Sequence, residues 1–234
     1  MRNFWQDLRF GARILWKQPG FTLIAIITLA LGIGANTAIF SVVNAVLLKS
    51  LPYRDADRLM MVYEKKEGNF FNGVSYDDFK DFRDRNQSFA QVAAVSPQWN
   101  LTLTGFAEAQ QIQGLYISST LLPMLGVVPV QGRVFRPEED QPNSERTVMI
   151  SHGFWQRRMG SNPNAVGTSI TLDGQLYTVI GVMPAKFRVL DDAELWLPLA
   201  LNNFTTRGRN VRFLSMVAQL KPGVTMAQAQ AEAS

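Results

Sequence analysis

QPGFTLIAIITLALGIGANTAIFSVVNAVLL, residues 18–48, decides how the rest of the chain is read. No charged residue lies between Lys17 and Lys49. Taken as helix from Phe21 to Leu48, the stretch measures about 42 Å at ~1.5 Å per residue. A bilayer core is about 30 Å thick, so such a helix crosses it with tilt or with its ends among the headgroups. A soluble core helix of this length without one charge would be unusual, and the stretch reads as a transmembrane helix. A cleaved signal peptide has a short basic head and an apolar centre of roughly 7–15 residues. This run is about twice that length, so an uncleaved anchor is expected.

Upstream, residues 3–18 (NFWQDLRFGARILWKQ) read as an amphipathic helix at the cytoplasmic membrane surface. Phe4, Leu8, Ala12 and Leu15 share one face at the 3.6-residue period. Phe4, Trp5, Arg9, Arg13, Trp16 and Lys17 are the expected membrane-interface residues, suited to an inner-leaflet headgroup zone. Pro19-Gly20 is expected to break this helix and turn the chain into the bilayer. Within the span, Ala30, Gly34, Thr37, Ser41 and Asn44 recur every three or four residues as a small, weakly polar stripe. Such a stripe suits packing against other helices, because backbones approach closely and polar groups bond across. Partner spans, from a second copy or another permease segment, are expected.

Charge obeys the same division. The 234 residues carry 23 Lys and Arg against 19 Asp and Glu, a net charge of +4. Five of the cations and one of the anions fall in the first 49 residues, so the remainder is balanced. The basic pI near 9.5 therefore belongs to the membrane flank, and no nucleic-acid partner is expected. Arg2, Arg9, Arg13 and Lys17 precede the span, so the positive-inside rule places the N-terminus in the cytoplasm and the bulk outside. The absence of cysteine excludes disulfides, thiolate metal sites and a cysteine-linked lipid anchor.

After Lys49 the pattern becomes that of a mixed α+β domain. Strands are expected at Leu59–Tyr63, Phe89–Val95, Asn100–Thr104, Gln110–Ile117, Thr147–Ser151, Glu194–Leu199 and, loosely alternating, Val211–Leu220. Ser75 caps an expected helix at Tyr76–Arg85, with Asp77 and Asp78 in its first turn. Short helices are expected at Ser119–Leu125, stopped by Gly126, and near Phe154–Met159. Asp173-Gly174 joins SITL to QLYTVIGVM as a hairpin. Thr225 caps MAQAQAEA, which runs to Ser234 without a C-cap and reads as a cut or early-ending helix.

No catalytic constellation stands out. Gly32-Ile33-Gly34 lies inside the span and lacks a dinucleotide fingerprint, and Gly160 to Gly167-Thr168-Ser169 lacks the spacing and lysine of a phosphate loop. His152 is the single histidine and reads as structural or solvated. The clusters Asp77/Asp78/Asp81, Glu138/Glu139/Asp140 and Asp191/Asp192 read as a helix N-terminal turn, a solvated loop and a turn. Trp99, Trp155 and Trp196 read as core or lobe-interface anchors. No catalytic residue, metal site or cofactor is expected, and the chain is not expected to be an enzyme.

With these residues in view, the amino-terminal segment resembles ABC-transporter permeases of the MacB/FtsX type. The run TLALGIGANTAIFSVVNAVLL followed by LPY is its most specific part, and it resembles the acidobacterial duplicated orphan permeases most. Downstream, VMISHGFWQRRMG, DG-x-x-YTVIGVMP and VAQLKPGVTMAQAQAE resemble the MacB-like periplasmic core domain. The resemblance implies a two-lobed extracytoplasmic domain at 49–234. A βαβ porter-like lobe would take about 52–118 and 209–234, and an inserted mainly-β lobe about 119–208. It divides the chain into a cytoplasmic amphipathic helix at 1–20, a span at 21–48 and this domain. It also implies an inner-membrane location, a dimeric permease, membrane lipid around the span, and a separate ATPase driving efflux or mechanotransmission. The later spans of the family and its ATPase-contacting loop are not within these residues. The alternative is a single-pass anchored periplasmic binding or sensing domain without transport. A membrane-anchored hydrolase is the third reading, and alanine at His152 and at the acidic clusters with an unchanged phenotype removes it.

Overall fold

The computed structural model describes residues 9–10, 13, 15–43, 53–66, 69–71, 73–106, 108–185, 187, 193–202 and 208–232. The chain forms two compact units, Met1–Leu51 and Pro52–Ser234.

In the first unit, helix α1 spans Pro19–Val43. Its window Pro19–Thr37 is long and apolar enough to cross a membrane, and none of that window is buried. The expected break falls one residue earlier than Pro19-Gly20. Gln18 is the non-helical residue and Pro19 opens α1. Proline suits a first helical position because its missing N–H would be unpaired there. The hydroxyl of Thr22 donates to the Leu15 carbonyl at 2.7 Å, serving an oxygen that Pro19 cannot. Thr28 and Thr37 likewise donate to Ile24 and Ile33 one turn back, at 2.9 and 2.7 Å. These hydroxyl protons are thus satisfied within the helix.

The second unit is built on one sheet. Its strands are β1 (Leu59–Val62), β4 (Phe89–Val95), β5 (Trp99–Thr104), β6 (Gln110–Ile117), β7 (Gln131–Gly132), β8 (Thr147–Ile150), β9 (Ser169–Leu172), β10 (Gln175–Val182), β11 (Leu195–Pro198) and β12 (Ser215–Leu220). A small hairpin of β2 (Glu64–Lys66) and β3 (Asn69–Phe71) stands apart. That hairpin and β7 are additions to the strands expected from sequence. The helices are α2 (Tyr76–Arg85), α3 (Leu121–Met124), α4 (His152–Met159) and α5 (Met226–Glu232). Strand order is β1-β12-β4-β6-β11-β8-β10-β9-β5, and β5 pairs back onto β6. Six strands, β6-β11-β8-β10-β9-β5, therefore close into a ring, while β4, β12 and β1 continue outward as an open flap. Strands β5 and β6 belong to the first of the two expected lobes and β8 to β11 to the second, so the ring crosses that boundary.

Alternation along the ring strands fills its interior. Leu101 and Leu103, Ile112 and Tyr116, Ile170 and Leu172, Leu195 and Leu197 point into one buried cluster. Gly114 sits where β6 passes from β5 to β11, opposite Trp99 and Leu195. A Cβ there would lie 2.6 Å from a terminal methyl of the buried Leu101, so any larger residue would have to displace that side chain. The ring is closed at the Asp173-Gly174 turn, where both residues have positive φ, 48° and 75°. Asp173 adds a tertiary role: its Oδ1 accepts from the Thr102 amide at 2.8 Å, and its amide donates to the Thr102 carbonyl at 2.9 Å.

The flap is buried on both faces, which explains the near-continuous apolar reading of β4 and β12. Val92, Ala94, Met216 and Ala218 join Phe79 of α2 and Ala229 of α5. Ala93, Val95 and Val217 join Leu121, Leu122 and Met124 of α3. Flap and ring meet at Val95 and Ile117, the single residue pair between β4 and β6. The Ser96 amide donates to the Tyr116 carbonyl, and the Ser118 amide to the Ala94 carbonyl, at 2.8 and 2.9 Å. The return bonds are made to side chains. The Tyr116 amide donates to Ser96 Oγ and the Ala94 amide to Ser118 Oγ, at 3.0 and 2.9 Å. Each hydroxyl replaces the carbonyl that an uninterrupted antiparallel ladder would supply.

Both serines are buried, so removing either hydroxyl leaves a buried amide without its acceptor. Ser96→Ala and Ser118→Ala should each lower stability by about 1–3 kcal/mol. Urea unfolding followed by tryptophan fluorescence in detergent checks this, and wild-type midpoints in both variants would contradict it.

Candidate functional site

Helix α2 is capped as its sequence demands: Ser75 Oγ accepts from the Asp78 amide at 3.0 Å. Its helical period then sorts the side chains. Phe79 is buried in the core and Phe82 packs on Phe89, ring centroids 5.6 Å apart. Asp78 and Asp81 bind Arg209, at 2.6 and 2.7 Å, and Arg212 lies 3.5 Å from Asp78. Tyr76, Lys80 and Arg83 recur at i, i+4 and i+7 and face a cleft.

The opposite wall is the polar loop 136–145. Its one-turn 3-10 helix, Pro137–Glu139, is held by Glu139, which takes a two-pronged bond from Arg133 at 2.6 and 2.8 Å. The Arg136 amide donates to the same carboxylate at 2.8 Å. Asp140 accepts from the Ser119 amide at 2.9 Å and the Ala200 amide at 3.1 Å. Between the walls lies a cleft of about 350 Å³, whose lining includes Tyr76, Asp77, Lys80, Arg83, Asp140 and Gln141.

The reading of Glu138/Glu139/Asp140 as a solvated loop is corrected here. Glu139 is 8% exposed and Asp140 bridges two segments 81 residues apart in sequence, at Ser119 and Ala200. Apart from the Arg136 amide, their partners, Arg133, Ser119 and Ala200, lie outside the loop, so little in its own sequence marked them. Proline at the first position of the turn was the one local hint. The two carboxyls respond oppositely. Burial acts to raise Glu139, but the Arg133 guanidinium and the Arg136 amide outweigh it and hold the group below its ordinary value. Burial raises Asp140, and the two amides offset this only in part. At Asp78, burial acts upward and is outweighed by Ser75, Arg209 and Arg212.

The remaining expected positions fall in several places. Arg9, Arg13, Trp16 and Lys17 are helical and exposed, Trp16 at 88%, while Phe4 and Trp5 lie outside the described residues. Ala30, Gly34 and Thr37 lie exposed on α1 and Ser41 lies within it; Asn44 is outside the described residues, as are Asp191 and Asp192. His152 opens α4 behind the Ser151 cap and meets the Trp155 ring edge-on at 5.2 Å. Trp196 is 2% exposed and Trp99 and Trp155 pack against the core. Among the described residues no group of three or more His, Asp or Glu is arranged to hold a metal ion.

The sequence model of the MacB-like periplasmic core domain matches residues 22–234. The chain belongs to that family. Solved structures share its fold. The periplasmic region of MacB from Actinobacillus actinomycetemcomitans superposes with a TM-score of 0.58 at 16% identity, covering 75% of this chain and 80% of that one. The extracellular domain of the noncanonic ABC-type transporter YknZ from Gram-positive bacteria gives 0.58 at 17%, covering 75% and 90%. No curated protein sequence matches the chain. This is therefore a MacB-like periplasmic domain of the ABC-type permease family, with one candidate membrane helix among the described residues, at its amino-terminal side.

In this MacB-like domain Glu139 contributes stability as an anion. A depressed folded pKa means that the contribution is full above the ordinary carboxyl value of 4.5 and is lost as pH falls through the folded value. Glu139→Gln should cost about 1–3 kcal/mol at neutral pH. The deficit should shrink as pH drops below 4.5, since wild type then loses the same interaction. Unfolding midpoints of both proteins across pH 3 to 7 check this, and a constant deficit would contradict it.

Proposed function

We propose that this chain is the amino-terminal part of an ABC-type permease in the inner membrane, with its N-terminus cytoplasmic and its domain periplasmic. In this reading the domain moves, or binds cargo or partners, in response to a separate ATPase, and the permease works as a homodimer or beside other spans. The observation that carries it is the order of parts. A MacB-like periplasmic core domain match begins at residue 22, inside an apolar helix that Arg9, Arg13 and Lys17 precede. That asymmetry of cations favours export of the domain on the carboxyl side of the helix.

A non-enzymatic role fits the way the acidic side chains are used. Asp78, Asp81, Glu139 and Asp140 hold segments of the fold together. The single histidine meets the Trp155 ring edge-on. The stripe from Ala30 to Asn44 would face neighbouring spans, and the interface residues from Phe4 to Lys17 would set the height of the anchor in lipid.

An alkaline phosphatase fused after Ser234 should be active, whereas β-galactosidase at the same point should not be. The protein should also stay with vesicles through carbonate washing. Activity of the cytosolic reporter alone, or release by carbonate, would remove the permease reading.

A further inference from the structure

The cleft between α2 and the 136–142 segment presents two cations, Lys80 and Arg83, of which Arg83 is paired with a carboxylate through one nitrogen only. Arg133 and Arg209 are each paired with a carboxylate, and Arg212 lies 3.5 Å from Asp78. Among the described residues Lys80 makes no salt bridge, and its ammonium stands 5.9 Å from the centre of the Tyr76 ring. Arg83 lies over the Phe79 ring at 5.6 Å and gives its Nε to the neighbouring Asp84. Among the described residues its two terminal nitrogens make no hydrogen bond. Both side chains are exposed and line the same space of about 350 Å³, within the ordinary range for small-ligand sites.

The facing wall has complementary chemistry. The Asp140 oxygens accept the Ser119 and Ala200 amides and interact with the Ser119 hydroxyl, which leaves part of the carboxylate's acceptor capacity toward the cleft, and Gln141 beside it is exposed. Asp77 adds a further carboxylate to the lining. Two acids in the same cleft oppose a dianion such as phosphate by like-charge repulsion. A single planar carboxylate flanked by N–H donors suits both walls: the guanidinium fork and ammonium for the carboxylate, Asp140 and Gln141 for the donors. The Tyr76 ring adds aromatic surface to the lining on the α2 side.

We propose that this cleft binds the carboxylate end of a short peptide, with Lys80 and Arg83 on the carboxylate and the Asp140–Gln141 wall on its backbone amides. The proposal does not depend on the permease reading, since binding is measured with no ATPase present.

The test is calorimetric titration of the full chain in detergent with alanyl-alanyl-alanine, its C-terminal amide and inorganic phosphate. The free acid should bind saturably, the amide at least ten-fold more weakly, and phosphate should not compete. Lys80→Met and Arg83→Met should each weaken binding at least five-fold while thermal unfolding stays at the wild-type temperature. No binding of the free acid, equal affinity for acid and amide, competition by phosphate, or wild-type affinity in both variants would overturn the proposal.

Discussion

The second unit depends on a crossing of two strands at one residue pair, Val95 with Ile117. On one side lies the three-stranded flap, on the other the six-stranded ring. The strands must separate there, and separation exposes two ladder amides inside the core. Water cannot reach them, so each requires an acceptor from the chain. Ser96 and Ser118 supply it with their own hydroxyls. A short polar side chain is suited to this place, because it reaches a neighbouring amide without displacing the packed Val95 and Ile117.

From that crossing the remaining architecture is set by burial. Closing β5 onto β9 through Asp173 removes one sheet edge and leaves alternate residues facing a common interior. The flap is covered by α2 and α5 on one face and α3 on the other, so its strands carry apolar residues at consecutive positions. At its outer start, Glu232 of α5 accepts the Gln87 amide and the Ser88 amide, tying the last helix to the entrance of β4. Charged groups act as long-range ties in the same way. Arg209 holds the approach to β12 against α2, and Asp140 joins the loop to α3 and to the segment after β11. The approach to β12 is thereby drawn into ion pairs, which is consistent with the strand starting at Ser215 rather than at Val211.

The apolar helix and the domain differ in physical character. The helix donates its Thr28 and Thr37 hydroxyl protons to its own carbonyls one turn back, so these polar groups need no partner outside it. The domain beyond it balances its charges and uses several of its acids, Asp78, Asp81, Glu139, Asp140 and Asp173 among them, as structural ties. In the cleft beside α2, Lys80 and Arg83 lie against the Tyr76 and Phe79 rings, and Arg83 also pairs with Asp84.

Local physics was legible in the sequence. Charge-free length marked the helix at Pro19–Val43, the Ser75 cap set the start of α2 at Tyr76, and Asp173-Gly174 marked a tight hairpin. These depend on residues a few positions apart, so the pattern and its cause lie in one window. The cleft and the ring were not legible, because their decisive contacts join distant residues. Asp140 meets Ala200 across 60 positions, Arg209 meets Asp78 across 131, and Asp173 meets Thr102 across 71. An acidic loop looks the same in sequence whether water or two buried amides surround its carboxylates. Only packing of the whole unit decided which, since desolvation and partners arise when the chain has closed on itself.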